Sequence, residues 1–278
     1  MKDFQGKTAV VTGAASGIGY ALAERFASAR MNVVLADIEE DALERAVKQL
    51  EERQHQVVGV VTDTMRKDSI SALLESAKAR YGNVHILCNN AGVANLGGYL
   101  GVWEIPDKDW QWIMGVNFHG MLYGIQTFVP HMLEHAEPSH IVNTASLAAL
   151  VPGGGPYGVS KHAVLSLSET LYMNLKTLEA NIGVSVLCPG FVNTNIDSAE
   201  RNRPGELSTG RETTGEQKAM LKSLLNAGKE PAEIADIVFD SIERDALYVL
   251  PHPDLDDVVQ RRVEQVLARG GLEFSRRV

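Results

Sequence analysis

The chain of 278 residues is poor in several features that would mark a specialised protein. It contains only two cysteines, Cys88 and Cys188, each in an apolar run, so a disulfide is possible but not expected and the pattern fits a reducing compartment. No apolar run approaches the roughly 18 residues that a membrane helix requires, and the first residues, MKDFQGKTAVVTG, are too charged for a signal peptide. We therefore expect a water-soluble, cytoplasmic protein.

Positive charge is also scarce. Lysine and arginine number 26 against 35 acidic residues, which gives a net charge of −9. Such a balance argues against nucleic acid and anionic membranes as partners, so an anionic ligand would need a local site such as a helix N-terminus. No set of metal ligands is recognisable either, and the histidines at four positions are interpreted as surface or helix-face residues: His119, His131, His135 and His140.

What the chain does contain is a regular alternation of short apolar runs with longer amphipathic stretches. Strands alternating with helices of this length predict parallel pairing through right-handed crossovers. The nearly continuous apolar character of the strands indicates that both faces of the sheet are covered. The predicted fold is therefore α/β, a doubly wound parallel sheet of Rossmann-like type, with strands over 7–13, 31–37, 56–63, 84–90, 140–145, 182–188 and 246–251.

The helices are predicted over 17–30, 39–53, 69–82, 107–135, 156–180, 231–244 and 255–270. Nothing resembles a linker, so we expect residues 1–278 to form a single domain that binds a dinucleotide and carries the catalytic site. The rhythm breaks over 191–228, where glycine, proline and threonine interrupt a polar stretch. Such an excursion from a compact domain predicts a mobile substrate lid.

The sequence TGAASGIG (12–19) joins the first strand to the first helix. Gly13, Gly17 and Gly19 lack a Cβ where the backbone must turn tightly and approach a ligand. The free N–H groups and positive end of the following helix suit a pyrophosphate, and Ser16 and Ile18 belong to the same turn. A plain structural turn is the alternative, but the missing Gly-Lys-Ser/Thr ending excludes a mononucleotide phosphate loop.

An acid follows the second strand about 20 residues after the glycine turn. Asp37 stands where a carboxylate can bind the adenosine ribose hydroxyls of a dinucleotide. It would repel a 2′-phosphate, and Ile38 supplies no compensating cation, so NAD is expected rather than NADP. The alternative is that Asp37 caps the next helix.

Tyr157 and Lys161 lie four positions apart in a predicted helix and therefore share one of its faces. A free phenol has a pKa near 10, but nearby positive charge favours its ionised form. Lys161 and the positive ring of an oxidised nicotinamide would bring the phenol into the range of efficient acid–base catalysis. Packing beside a solvated charge is the alternative for such a pair on its own.

These motifs together resemble the short-chain dehydrogenases/reductases, in their compact single-domain branch. The resemblance rests on TGAASGIG, NNAG (89–92), Asn117 in MGVNFHG, Ser146 in NTASL, the Tyr157–Lys161 pair and PGFVNT (189–194), in that order along almost the whole chain. It implies transfer of hydride between NAD(H) and a secondary alcohol or ketone. It also implies a homodimer or homotetramer built on helices 107–135 and 156–180.

Roles for individual residues follow from the resemblance. Tyr157 would be the general acid/base, Ser146 would hydrogen-bond the substrate oxygen, and Asn117 would order a water beside Lys161, which also holds the nicotinamide ribose. Further cofactor contacts are implied for Asp63 at the adenine, for the sheet-side residues Asn90, Ala91 and Gly92, and for Pro189, Gly190, Val192 and Thr194 around the nicotinamide.

One departure concerns the substrate wall. Ser146 precedes Tyr157 by eleven positions, where the family usually has thirteen, and the shortened loop 147–156 contains three consecutive glycines. We expect an apolar pocket for a bulky hydrophobic substrate, lined by Leu96, Tyr99, Leu150, Val151 and Phe191. The C-terminal sequence is similar to that of bacterial dehydrogenases of lignin-derived aryl ether alcohols.

Two alternatives to the NAD-dependent dehydrogenase remain open. An NADP-dependent carbonyl reductase would share all of these motifs, and only the preference of Asp37 for NAD argues against it. A nucleotide-binding regulator of the same fold would bind the cofactor without turnover, but its expected mark is loss of the tyrosine or the lysine, and both are present.

Overall fold

The computed structural model describes residues 1–94, 101–210 and 214–272. Its centre is a sheet of seven parallel strands in the order β3-β2-β1-β4-β5-β6-β7. The predicted α/β class and the doubly wound parallel sheet are confirmed. The strands are β1 Thr8–Thr12, β2 Asn32–Asp37, β3 Val57–Val61, β4 Ile86–Asn89, β5 Ser139–Thr144, β6 Ile182–Leu187 and β7 Tyr248–Val249.

Helices cover both faces of this sheet, which explains why its strands are apolar on both sides. One buried cluster packs the helices of one face against alternate strand residues such as Val11 and Leu35, and a second packs the helices of the other face against the residues between them, such as Val10 and Val34. The helices are α1 Gly17–Ser28, α2 Glu40–Glu51, α3 Lys67–Tyr81, α4 Asp107–Met114, α5 Gly120–His135, α6 Gly155–Thr177, α7 Gly215–Asn226, α8 Pro231–Arg244 and α9 Asp256–Leu267.

The strand order reverses between β1 and β4, because β2 and β3 extend the sheet to one side and β5 to β7 extend it to the other. Loops that follow β1 and β4 therefore diverge and leave a crevice at the carboxyl ends of the strands. Ligands of open α/β sheets bind at such a switch point. TGAASGIG lies at the end of β1, and NNAG lies at the end of β4.

The long helix predicted over 107–135 is interrupted in the structure. A π-helical turn, Gly115–His119, separates α4 from α5, and Asn117 lies inside it. Turns of this kind are often found at functional sites. The pattern of apolar residues gives no sign of the extra residue in the turn.

The excursion 191–228 is more regular than its composition suggests. Outside residues 211–213, which the structure does not describe, it contains the 3₁₀ helices Ile196–Asn202 and Gly205–Leu207 and the capped helix α7. Thr214 and Gln217 form a capping box at the start of α7, which stabilises a short polar helix.

Two of the histidines interpreted as surface or helix-face residues are buried, and one of them, His140, lies on a strand rather than a helix. His140 on β5 is fully buried, and its Nε2–H donates to Ser185 Oγ at 2.8 Å. His131 on α5 is also buried and accepts the Val84 N–H. Each imidazole is tolerated in the core because hydrogen bonds replace those it would make to water.

Cys88 and Cys188 are both buried and carry free thiols. Among the described residues, no helix is both long and apolar enough to cross a lipid bilayer.

Candidate active site

A cleft of about 460 Å³ opens above the carboxyl ends of β1, β4 and β5. Nearly all the residues predicted for catalysis or cofactor binding line it, and they come from seven separate parts of the chain. The exceptions are Gly19 and Asn117, which lie behind the wall. The lining residues among those predicted are Gly13, Ser16, Gly17, Ile18, Asp37, Asp63, Asn90, Ala91, Gly92, Ser146, Tyr157, Lys161, Pro189, Gly190, Val192 and Thr194.

The glycine turn is shaped by two positive φ angles, +66° at Gly13 and +56° at Gly17, a conformation that glycine adopts without strain. A Cβ on Gly19 would lie 2.0 Å from the Gly13 carbonyl oxygen, so the first turn of α1 packs directly on the loop. A Cβ on Gly17 would lie 3.1 Å from Thr194 Cγ2, which places the start of α1 against the PGFVNT segment. The helix N-terminus thus faces the cleft.

Asp37 ends β2 in a partly buried position. Its Oδ2 accepts the Ala15 N–H at 2.9 Å, and its Oδ1 accepts the Glu39 N–H at 3.1 Å. Burial raises the pKa of this carboxyl, and the backbone hydrogen bonds oppose that rise. Asp37 therefore braces the glycine turn. It is not the N-cap of α2, because that position is Glu39 and no side chain caps the helix there.

The NNAG segment is fixed by Thr12 at the end of β1. Thr12 Oγ1 accepts the N–H groups of Asn90 and Ala91 at 2.9 and 3.1 Å, and Asn90 Nδ2 donates to the Thr12 carbonyl at 3.0 Å. This threonine was not among the predicted site residues, because its side chain acts only through the neighbouring strand. The contacts hold Gly92 in the floor of the cleft.

Tyr157 and Lys161 lie one turn apart on α6, as their spacing predicts. Lys161 is 3% exposed, its Nζ donates to the Thr144 carbonyl at 2.9 Å, and it lies 5.6 Å from the centroid of the Tyr157 ring. Burial lowers the pKa of the Lys161 ammonium to about 8. Removal from water disfavours the charged form, and a backbone carbonyl only partly compensates.

The Tyr157 phenol is hydrogen-bonded to Ser146. Burial raises the pKa of the phenol above its ordinary value, and the Ser146 hydrogen bond lowers it in part. The protein's own groups therefore shift this pKa in the direction opposite to the one expected from Lys161. Ser146 itself caps a 3₁₀ helix, Leu147–Ala149, by accepting the Ala148 N–H at 3.1 Å.

Asn117 connects the π-helical turn to two neighbouring segments. Its Oδ1 accepts the Val93 N–H at 2.8 Å, and its Nδ2 donates to the Val93 carbonyl and to Ser160 Oγ, both at 3.0 Å. A Cβ on Gly92 would lie 3.5 Å from Asn117 Oδ1 and equally 3.5 Å from Lys161 Nζ. The amide and the ammonium therefore flank the same glycine.

The loop between Ser146 and Tyr157 closes through an unusual run of backbone angles. Gly153, Gly154 and Gly155 have φ values of +117°, +75° and +52°, which side chains other than glycine adopt only with strain. A Cβ on Gly158 would lie 1.9 Å from the Gly153 carbonyl oxygen. The three glycines thus make a tight entry into α6, one turn before the phenol.

The expected apolar pocket is met in part. Val151 and Phe191 line the cleft, whereas Leu150 packs against the core instead. Leu96 and Tyr99 lie outside the described residues. Leu221 and Leu225, inside the excursion expected to border the pocket, also line the cleft, and so do Trp112 and Leu255, which were not expected there. They come from helices whose approach to the cleft depends on tertiary packing.

His252 is a further residue that the sequence does not reveal. Its Nδ1 accepts the Gly190 N–H at 3.0 Å, and its Nε2–H donates to the Phe191 carbonyl at 3.0 Å. One neutral imidazole therefore holds both peptide groups of the turn that follows β6. This contact spans about 60 residues, so no local spacing could indicate it.

Comparison with known proteins agrees with this arrangement. A model of the short chain dehydrogenase family matches residues 7–205. The chain belongs to the short-chain dehydrogenase/reductase family, and it is accordingly an oxidoreductase that uses a nicotinamide cofactor.

The relatives match over nearly the whole chain. A CLA biosynthesis dehydrogenase/reductase from Lactiplantibacillus plantarum is 33% identical over 97% of this chain and 96% of its own length. A C alpha-dehydrogenase from Sphingobium sp. is 33% identical over 96% and 87%. A crystal structure of a short-chain dehydrogenase/reductase from Burkholderia phymatum in complex with NAD superimposes with a TM-score of 0.95, at 41% identity and full coverage of both chains.

Proposed function

We propose that this protein oxidises a bulky, hydrophobic secondary alcohol with NAD and, in reverse, reduces the corresponding ketone. The observation that carries the proposal is the grouping of Ser146, Tyr157 and Lys161 on one wall of a cleft whose other wall begins at the N-terminus of α1. Ser146, Tyr157 and Lys161 provide acid–base chemistry, and the N-terminus of α1 provides a site for a pyrophosphate.

The chemical step divides between these residues. In oxidation, Tyr157 as phenolate removes the hydroxyl proton while the carbon–hydrogen bond breaks and its electron pair leaves as hydride. The nicotinamide supplies the acceptor for that hydride. Ser146 hydrogen-bonds the substrate oxygen and stabilises the charge that develops on it. In reduction the phenol donates the proton back.

Lys161 has two roles in the proposal. Its ammonium, at the floor of the cleft, would hold the nicotinamide ribose, and its charge would favour the phenolate form of Tyr157 against the rise in pKa that burial causes. Asn117 acts beside it by fixing Val93 and Ser160, and thereby the segment that carries Gly92. A water held between Asn117 and Lys161 would link the buried ammonium to solvent.

NAD is the proposed cofactor because of Asp37. Its carboxylate lies at the adenosine end of the cleft, where it can accept hydrogen bonds from ribose hydroxyls and repels a 2′-phosphate. The NAD complex of the relative from Burkholderia phymatum supports the same choice. The remaining contacts are proposed for the glycine turn, for Asp63 at the adenine and for Val192 and Thr194 at the carboxamide.

The substrate end of the cleft is apolar. Val151, Phe191, Leu221 and Leu255 contribute to its lining, and apolar surface of this kind favours a large hydrophobic substrate. The resemblance of the C-terminal sequence to dehydrogenases of lignin-derived aryl ether alcohols favours an aryl secondary alcohol. We propose that the excursion 191–228 forms the substrate lid of the single domain 1–278.

A homodimer or homotetramer completes the proposal. α6 leaves Val159 and Met173 exposed at 47% and 67%, and apolar groups of this size on the outer face of a long helix suit a contact between copies.

Turnover with a panel of aryl and alicyclic secondary alcohols tests the proposal, with NADH followed by absorbance. Tyr157→Phe is expected to lower kcat roughly 100-fold or more while leaving the Kd for NAD unchanged, because only the acid–base group is lost. Tyr248→Phe is the matched control, since that phenol is half exposed and bonded to Glu169. Equal turnover in the two variants would contradict the assignment of Tyr157.

A further inference from the structure

The adenosine end of the cleft contains a cation that the local sequence does not predict. Arg201, from the 3₁₀ helix Ile196–Asn202, lines the cleft together with Asp37, Ile38 and Glu39. An arginine near the acid after β2 is the residue type that accommodates the 2′-phosphate of NADP. The structure therefore combines a carboxylate that disfavours this phosphate with a cation that could bind it.

The guanidinium of Arg201 is held by Glu39. Its Nε lies 3.1 Å from both carboxylate oxygens of Glu39, and its Nη2 lies 2.6 Å from Oε1. Asn202 Nδ2 donates to the same Oε1 at 2.8 Å. The hydrogen bond from Arg201 is the main reason that the pKa of Glu39 lies below its usual value. Glu39 is thus ionised at neutral pH, and it engages two of the three guanidinium nitrogens of Arg201, Nε and Nη2.

The remaining nitrogen of Arg201 is also engaged, but by neutral groups. Nη1 donates to the Ser198 carbonyl at 2.8 Å, to Ser198 Oγ at 3.0 Å and to the Asn195 carbonyl at 3.4 Å. These contacts fix the guanidinium on its own segment without changing its charge. Glu39 is the partner that neutralises it.

A second cavity of about 370 Å³ adjoins the main cleft at this pair. The two share Ser16, Glu39, Asn195 and Arg201, so the ion pair stands in the wall between them. The second cavity is also lined by Arg45. The second cavity therefore offers space for a phosphate beside the Glu39–Arg201 pair, and Arg45 provides a second cation there.

We infer that Glu39 is a second determinant of cofactor specificity, which withholds Arg201 from the 2′-phosphate of an NADP-type dinucleotide. The inference rests on the proposed choice of NAD. With Asp37, Glu39 and Arg201 together, the adenosine end carries one net negative charge, whereas removal of the Glu39 charge leaves it neutral and frees the guanidinium. Arginine binds phosphate in bidentate fashion once its fork is free.

Binding of adenosine fragments tests this without catalysis. The Kd of adenosine 2′,5′-bisphosphate and of 5′-AMP is measured by calorimetry for the unmodified protein, Glu39→Gln, Glu39→Gln/Arg201→Gln and Glu40→Gln. Glu40 is the control, because it is exposed at the next position. In Glu39→Gln the bisphosphate is expected to bind about 10-fold tighter relative to 5′-AMP, as a new charged hydrogen bond requires.

The gain must depend on Arg201. It is expected to disappear in the double variant and to stay absent in Glu40→Gln. A gain that persists without Arg201, or no gain in Glu39→Gln while thermal unfolding shows it folded, would overturn the inference. The NAD preference itself is measured on the unmodified protein alone. An Arg201-dependent gain supports the role of Glu39 whichever dinucleotide that protein prefers.

Discussion

Arg203 and Asp109 form an ion pair inside the protein, with Nη1 of the arginine 2.6 Å from Oδ1 of the aspartate. Their side chains are 4% and 0% exposed. The guanidinium also lies over the Trp112 ring, 4.2 Å from its centroid, and donates to the Leu207 carbonyl. The pair therefore fastens the segment 196–207, one side of the cleft, to α4.

Asp109→Asn is expected to lower the free energy of unfolding by about 1–3 kcal/mol, because it removes the buried counter-charge of the guanidinium and leaves only the more exposed Glu200, 2.8 Å from Nε, as an ionic partner. KM for the alcohol should rise more than kcat falls, since the pair positions the wall of the cleft and touches no reacting atom. Urea unfolding and steady-state kinetics measure the two effects.

The control for Asp109→Asn is Asp257→Asn, which removes the partner of Arg261 in an exposed pair on α9. An exposed pair contributes within about 1 kcal/mol. Equal losses of stability in the two variants would contradict a structural role for the buried pair.

Lys161 serves the proposed reaction but lowers the free energy of unfolding of the protein. Its folded pKa is about 8, against 10.5 in an unfolded chain, so below pH 8 the protein carries the full cost of burying a charge. Lys161→Met removes that cost but leaves the Thr144 carbonyl without its donor. We expect a net gain of about 1–3 kcal/mol at pH 7, together with loss of turnover.

The pH dependence separates this cause from simple repacking. As pH rises from 8 to 10.5 the unfolded state gives up the proton that the folded state has already lost, so the advantage of Lys161→Met should shrink over that window. Lys78→Met, on the exposed side of α3, serves as the control. A difference that stays constant from pH 7 to 10.5 would refute the electrostatic explanation.

His140 should make the fold sensitive to acid. Its Nε2–H is bonded to Ser185, and Nδ1 has no hydrogen-bond partner, lying 3.9 Å from Asp245 Oδ1. Burial lowers the pKa of His140 to about 3, whereas an unfolded histidine titrates near 6.5. Its neutral form therefore contributes stability that is present above pH 6.5 and is lost as pH falls towards 3.

Between pH 6 and pH 4, the free energy of unfolding is expected to fall by about 2–3 kcal/mol more in the unmodified protein than in His140→Gln. The slopes are compared, because the substitution also changes packing. His55→Gln, outside the buried clusters, should reproduce the slope of the unmodified protein. Identical slopes for all three proteins would show that His140 does not titrate in this range.

The sequence predicts most of the architecture because the strands are short, apolar and separated by helices of regular length. The glycine turn, Asp37 and the Tyr157–Lys161 pair are also visible, since each depends on local spacing. Contacts across the cleft are different. Arg201 meets Glu39 from 162 positions away, and nothing near Ile38 indicates a cation.

Other misses have the same physical origin. The π-helical turn at Asn117 preserves the helical pattern on both sides of it, so periodicity cannot reveal the added residue. His140 looks like any polar residue at the start of a strand, and only the position of Ser185 on β6 explains its burial. Tertiary hydrogen bonds decide such cases, and one chain read alone does not display them.

The glycine run before α6 provides a direct test of the shortened loop. Gly153 has a φ of +117°, and a Cβ there would meet no atom within 4 Å, so strain rather than collision opposes a side chain. Gly153→Ala is expected to cost about 1–3 kcal/mol of stability. It should also lower kcat, because the loop leads directly into the turn of α6 that carries Tyr157. Gly205→Ala is the matched control, since its added Cβ also meets nothing and its φ is not positive. Thermal unfolding and turnover of the two variants, measured side by side, decide the point: if Gly153→Ala matches Gly205→Ala in both, the left-handed backbone is not what shapes this wall of the cleft.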